Sequence, residues 1–244
     1  PPVVPVREEL RFCMPNEYID FFETIGADVI ELTGNHVVDW GKDSFLQTLA
    51  TYDAEDFLYY GGGYNLSDSQ KPLKIEHNGN RIAFLGCNPA GPVNARATES
   101  TPGSAPCDFD LLTKQLSTLR SEGYLPIVTF QHYEVDDFMP MNITKTEFGK
   151  IAEAGAVIVS GSQAHFPHGF AFAGDNFIHY GLGNLFFDQM FFGNRREFMD
   201  RHIFYEGKYL GSEIITLMLE DCAQPRLMNS VERSQMLTDY FAAS

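Results

Sequence analysis

Four short apolar runs in this chain each stop at a polar cluster carrying histidine or asparagine: DVIEL (Asp28 to Leu32) before TGNHVVDWG, LPIVTF before QHYE, VIVS before GSQAH, and FIHY before GLGN. Runs of this length, bounded by such turns, read as strands, and helical spacing returns between them. Alternation of this kind builds a mixed α/β protein. In such sheets ligands collect outside the carboxyl ends of the strands, where turns present side chains to a common crevice. The coincidence of polar clusters with strand ends is therefore the strongest clue to a site.

The intervening segments support the same architecture. NEYIDFFETIGA (Asn16 to Ala27) sets Ile19, Phe22 and Ile25 three apart and predicts a short amphipathic helix ending at Gly26. FLQTLATY, DLLTKQLSTLRSEGY and KTEFGKIAEAGA read as helices, and FLYYGGG as a strand running into a glycine turn. PLKIEHNGNRIAFLGC is a hairpin signal, with Asn78-Gly79 as a type I′ turn pair. GFAFAGDNFIHYGLGNLFF reads as a second hairpin with Gly174-Asp175-Asn176 at its tip, and EIITLMLED with PRLMN as a further strand pair. The expectation is one domain over residues 1–244, with a large sheet system covered by helices. NPAGPVNARATESTPGSAP is an excursion from it.

The 244 residues, 44% of them hydrophobic, suffice for a substantial core. Lys and Arg number 17 against 33 Asp and Glu, so 17 − 33 = −16. That balance argues against nucleic acid or an anionic membrane as the main partner. An anionic substrate needs a cation or a local basic pocket to approach. Cys13, Cys87, Cys107 and Cys222 show no CxxC spacing, which removes zinc-knuckle and thioredoxin-type readings. Cys87 and Cys107 bracket the Pro/Gly-rich excursion; either a disulfide closes it, as in an exported protein, or all four thiols are free. No apolar run reaches the ~18 residues of a membrane span, and there is no signal-peptide pattern. The opening PPVVPVREELRF is unlike a natural amino terminus, and the expectation is a fragment of a longer chain.

Histidine, asparagine and nearby carboxylates are ligand types suited to borderline divalent metals. Each has an ordinary alternative. Asn35 caps a turn in that reading, Asp39 is the N-cap of the next helix, and His132 and His165 are a hydrogen-bonded structural residue and a surface loop residue. His77, His179 and His202 carry no motif and read as structural. The aromatics Trp40, Tyr133 and Phe138 read as core.

Taken in order, the motifs resemble the bacterial capsule-synthesis family of CapA/PgsA type, associated with poly-γ-glutamate production. IGADVIELTGNHVVDWG, YYGGGYN, PLKIEHNGNRIAFLG, QHYEVDDFMP, AGAVIVSGSQAH and FIHYGLGNLFFD carry the resemblance, from about Phe12 to Asp188. It implies a metallophosphoesterase-like β-sandwich flanked by helices, with a two-metal site at the strand ends. His36 would then protonate a leaving group. Asn35 and His132 would bind one metal and His165 the other, and Asp39, Gln163, Glu134 and Asn184 would line the site. The metal would be Mn, Zn or Fe. The implied substrate is an anionic polymer or small phosphoester, the implied partners are capsule-synthesis membrane proteins, and the implied location is extracytoplasmic. Gln163 stands where the family has a histidine, which lowers the expected affinity for metal. The family's upstream Gly-Asp strand does not precede Pro1, so the first strand or strands are expected to lie outside this chain. The alternative is a non-catalytic scaffold or polymer-binding component of capsule assembly.

Overall fold

The computed structural model describes residues 11–243, and the Pro-rich opening lies outside them. Internal contacts divide the chain into two compact units. The first runs to Leu73 and resumes over Phe84–Cys107; the second comprises Lys74–Ala83 and the chain from Asp108 onward.

In the first unit a 3-10 turn (Asn16–Tyr18) leads into α1 (Asp20–Thr24), then β1 (Val29–Glu31), α2 (Lys42–Ala54), β2 (Leu58–Tyr60), β3 (Gly62–Gly63) and α3 (Leu66–Ser69). β4 (Leu73–His77) and β5 (Asn80–Cys87) form the expected hairpin, whose residues Lys74–Ala83 belong to the second unit, and β6 (Gly103–Ser104) pairs antiparallel with β3. β1 and β2 are parallel, with Val29 opposite Leu58 and Glu31 opposite Tyr60. Phe45, Leu49 and Tyr52, four and three residues apart on α2, are buried with Leu32 and Val38 as the core of this unit. The helix expected over Asn16 to Ala27 is broken in two. Ile19 and Phe22 pack half-buried against that core while Ile25 stays exposed, so too little apolar surface is covered to sustain a longer helix. Gly26, at φ +72°, ends it as expected.

Cys87 and Cys107 form a disulfide with Cα atoms 5.0 Å apart, closing the Pro/Gly-rich excursion; Cys13 and Cys222 are free. The all-thiol alternative is thereby set aside.

The second unit contains α4 (Phe109–Ser121), β7 (Leu125–Phe130), α5 (Asn142–Glu153), β8 (Ile158–Gly161), β9 (Phe170–Ala173), β10 (Asn176–His179), β11 (Arg196–Tyr205), β12 (Lys208–Glu220), β13 (Gln224–Leu227) and α6 (Ser230–Ala243). Its main sheet has the order β4-β5-β7-β8-β10-β9. β7, β8 and β10 are parallel neighbours, so Gln131, Ser162 and Tyr180 leave the sheet at the same edge. β11, β12 and β13 form an antiparallel sheet. It packs on β10, where Asp200 accepts from His179 Nδ1 at 2.7 Å and Phe198 lies against the same ring. Two sheets face to face with covering helices are the mixed α/β architecture that the motif order predicts.

Candidate functional site

The turn after β1 is held by backbone geometry before any chemistry is considered. Thr33 is fully buried, its hydroxyl donates to Glu31 Oε1, and its carbonyl accepts from Asn88 Nδ2 at 2.9 Å. Asn88 Oδ1 in turn accepts from the Gly91 N–H at 2.5 Å, so the disulfide-closed loop buttresses the turn. The glycine run after β2 fits under it: a Cβ on Gly61 would lie 2.5 Å from Thr33 Cγ2, and one on Gly62 would lie 2.7 Å from Leu32 Cβ.

Asn35 and His36 follow on this fixed base. His36 Nδ1 lies 2.7 Å from Asp39 Oδ2, and its side chain keeps 39% of its exposure against 14% for Asp39. The Phe12 N–H donates to the same carboxylate oxygen at 3.0 Å, and the Phe12 ring meets His36 edge-on at 4.6 Å. Asp39 is not the helix cap of the alternative reading. Gly41, at φ +90°, occupies the N-cap of α2, and Asp39 is spent on the imidazole. A carboxylate on Nδ1 fixes the proton there and leaves Nε2 as the exchanging nitrogen.

Beside this pair lies a cavity of about 430 Å³ lined by His36, Asp39, Trp40, one face of α2 and the segment around Phe12. Trp40 therefore lines a cavity, contrary to the expectation of a core residue.

In the second unit the three strand ends converge as expected, though not into a free ligand set. His165 Nδ1 lies 2.6 Å from Asn184 Oδ1, and Asn184 Nδ2 donates to Gln189 Oε1 and to the Asn194 carbonyl, each at 3.1 Å. The His165 ring stacks on Phe187, and its Nε2 stands 4.0 Å from Glu134 Oε1. Gln163 Oε1 accepts from Gln131 Nε2, and Gln163 Nε2 reaches Glu134 Oε2 at 3.5 Å. Glu134, Gln163, His165 and Asn184 thus form one connected network. A cavity of about 410 Å³ adjoins it, lined by Glu134, Asp136, Gln189, Phe191 and Asn194 among others.

His132 is bonded elsewhere. It is buried, and both ring nitrogens are engaged by α5, Nε2 with Glu147 Oε2 at 2.7 Å and Nδ1 with Thr144 Oγ1 at 3.0 Å. A metal at His132 would have to displace one of these partners. Tyr133 is exposed rather than core, whereas Phe138 packs on Phe166 and Tyr240 as expected. Gln131, Thr144, Glu147 and Gln189 complete these networks and carried no sequence signal; Glu147 falls in the expected helix KTEFGKIAEAGA, which begins one residue after Thr144.

Among the described residues no group of three or more His, Cys, Asp or Glu could hold a metal ion. The engaged nitrogens of His132 and the amide tied at Gln163 explain this chemically. The donors do not fit the divalent ion that the resemblance implies, and no step is derived through one.

The model of the family described as bacterial capsule synthesis protein PGA_cap matches residues 3–189. The chain belongs to that family. The capsule biosynthesis protein CapA of Bacillus anthracis is 30% identical to this PGA_cap chain over 186 residues, 75% of the chain and 45% of the relative. The PGA biosynthesis protein CapA of Bacillus subtilis (strain 168) is 25% identical over 183 residues, 75% and 48% of the two. The chain spans about half the length of these curated relatives. The crystal structure of a hypothetical protein from Thermus thermophilus shares the fold, with TM-score 0.52 at 14% identity over 83% of this chain and 81% of that one. No helix of the described residues is long and apolar enough to cross a membrane.

Proposed function

We propose that this chain serves poly-γ-glutamate capsule synthesis through acid–base chemistry at His36, in a hydrolytic step on a phosphoester or on the γ-amide backbone of the polymer. The carrying observation is the half-exposed His36 ring held by Asp39 at 2.7 Å. As imidazolium, Nε2 donates to the leaving group; as imidazole, it takes a proton from attacking water. Asp39 keeps the ring oriented through both states. The divalent metal expected from the resemblance would supply charge neutralisation, yet the donors above do not favour it.

The names of the relatives support the capsule setting, and the Cys87–Cys107 bridge supports an extracytoplasmic location, because such bridges persist in oxidising compartments. Capsule-synthesis membrane proteins are the partners this reading implies. A polyanion meets Glu134 and Asp136 at the second unit's cavity, so the reading assigns the reacting bond to the His36 turn.

A second reading, a non-catalytic scaffold that binds polymer, is favoured by His132, whose two nitrogens are both engaged. The experiment follows release of product from poly-γ-glutamate and from a chromogenic phosphodiester by the chain, by His36→Gln and by Asp39→Asn. Hydrolysis that falls about 10²- to 10⁴-fold in His36→Gln supports acid–base catalysis. Rates equal to the uncatalysed background in all three proteins reject it in favour of the scaffold.

A further inference from the structure

The loops that follow β7 and β10 leave the second unit's sheet at one edge and meet across the cavity of about 410 Å³. Both carry large apolar side chains into solvent: Tyr133 and Met139 on the first, Leu185, Phe186, Phe191 and Phe192 on the second. Phe191 keeps 79% of its surface and Phe192 67%. Apolar residues scattered singly over a surface need no explanation, whereas a group of them in adjoining loops, rimmed by polar side chains, marks an interaction surface.

The second loop is fixed from beneath. Arg196 is buried, its guanidinium lies 4.9 Å from the ring centres of both Phe192 and Phe138, and its Nη1 donates to Asp239 at 3.0 Å. A paired cation under Phe192 holds that ring in place while most of it stays in water. At Gly193 a Cβ would run into the Phe166 ring, so the backbone there is pressed against packed aromatics. Phe186 takes φ +57°, a costly conformation for a bulky side chain. A loop held in this way has little ordering left to do when a partner arrives.

Charge selects the occupant. Residues 131–141 and 185–194 contain Glu134, Asp136, Asp137 and Asp188, all exposed, and neither Lys nor Arg. The adjacent cations are committed elsewhere, Arg195 Nε to the Leu219 carbonyl and Arg196 to Asp239. His132 is buried with both nitrogens engaged, and His165 is bonded to Asn184 with Glu134 beyond it. Polyglutamate and an anionic lipid surface are therefore repelled. A bilayer interior or a wholly apolar protein face would strip water from the carboxylates without pairing them. A second copy docked by a two-fold axis would set the same carboxylates against one another. A protein segment that interleaves apolar side chains with Lys or Arg satisfies both sets, the apolar groups covering Phe191 and Phe192 and the cations meeting the acidic rim.

We infer that the paired loops after β7 and β10 dock a basic, apolar segment of a partner protein. This goes beyond the hydrolytic reading and does not depend on it, because binding is read without turnover.

The probe is a fluorescein-labelled amphipathic peptide of leucine and lysine, about four helical turns long, titrated with the intact chain at ~0.15 M salt and followed by anisotropy. A leucine/glutamate peptide and a serine/lysine peptide of the same length are the comparisons. The expected result is saturable binding of the leucine/lysine peptide, at least about tenfold tighter than either comparison. Phe191→Ser with Phe192→Ser should weaken it about tenfold or more. Glu134→Gln with Asp136→Asn should weaken it about threefold and flatten its dependence on salt. Phe191→Ser alone, at the more exposed ring, repeats the apolar test should the double variant lack a native circular dichroism spectrum and unfolding transition. Leu227→Ser, an exposed position on β13, should leave the affinity unchanged. No saturable binding, equal affinity for the serine/lysine peptide, or unaltered affinity in folded Phe191→Ser overturns the inference. Flotation with phosphatidylcholine or phosphatidylglycerol vesicles that Phe191→Ser abolishes also overturns it, in favour of a membrane surface. A dimer in sedimentation equilibrium that Phe191→Ser abolishes does so in favour of a second copy. Peptide binding retained in His36→Gln would keep the failure of one reading distinct from the failure of the other.

Discussion

The two histidine-bearing edges differ in what they leave unspent. The His36 turn of the first unit is braced from beneath by Thr33 and Asn88, so its chemical groups need not hold the fold and the ring stays half open. The crevice of the second unit uses its functional groups as the brace. His132 is tied to Thr144 and Glu147, His165 to Asn184, and Gln163 to Gln131. A side chain that satisfies a neighbour's hydrogen bond is costly to withdraw for a ligand, since the neighbour is left buried and unpaired. The same residue types thus have separate uses, according to which part of the local structure carries the load.

That contrast can be broken most strongly at Glu197. Although the second unit satisfies its crevice, this β11 carboxyl is fully buried with neither oxygen bonded among the described residues, and burial pushes its pKa up to about 8 from an ordinary 4.5. A raised carboxyl pKa means that the folded state holds the proton more tightly than the unfolded state. Stability should be full below about 4.5 and fall as pH rises toward about 8, by up to ~1.4 kcal/mol per pH unit. Denaturant unfolding across that window measures the slope, and Glu197→Gln should flatten it and gain a few kcal/mol at pH 8. A slope unchanged in Glu197→Gln refutes the assignment.

The second test concerns the brace of the first unit. Cys87→Ser with Cys107→Ser removes the bridge over a sequence separation of 20 and should cost about 3 kcal/mol. Hydrogen exchange should then accelerate at residues 33–39 and stay slow in β7 and β8. Uniform acceleration would mean that the turn is not specifically supported by its loop.

Smaller effects refine the comparison. Thr144→Val leaves His132 Nδ1 buried without its partner and should lower stability by about 1–3 kcal/mol in a thermal or denaturant transition. Asp39→Asn, at a half-exposed pair, should change stability by less than about 1 kcal/mol. Comparable losses from the two substitutions would erase the distinction between a braced turn and a self-bracing crevice.

Much of the architecture was legible because local chemistry and tertiary demand agree. Asn78 and Gly79 both take positive φ, +48° and +75°, as a type I′ hairpin requires. β11 lacks a clear apolar pattern because Arg196, Glu197, Asp200 and Arg201 interrupt it: Arg196, Glu197 and Phe198 are all buried, and only beyond them does exposure alternate, with Met199, Arg201 and Ile203 exposed. Its turn uses Glu206-Gly207, φ +49° and +71°, without the usual Asn or Asp. α6 was overlooked although Asn229 and Glu232 form a capping box, Asn229 Oδ1 accepting from the Glu232 N–H at 3.1 Å and Glu232 Oε2 from the Asn229 N–H at 2.9 Å. At the site, strand-end position identified His36, His132 and His165. It could not reveal which nitrogens were already engaged, because those partners come from α5 and from the loop after β10, remote in sequence.

The glycines after β2 carry a consequence for anyone charting tolerance to mutation. Gly61 and Gly62 have no room beside Thr33 and Leu32, and a Cβ on Gly63 would lie 2.6 Å from Asp68 Oδ2. In a saturation library these three neighbours would score as harshly as a reacting residue while touching no substrate. Intolerance there records a seat shaped for the adjoining turn, and a map of essential positions drawn from survival alone would misplace the chemistry by one strand.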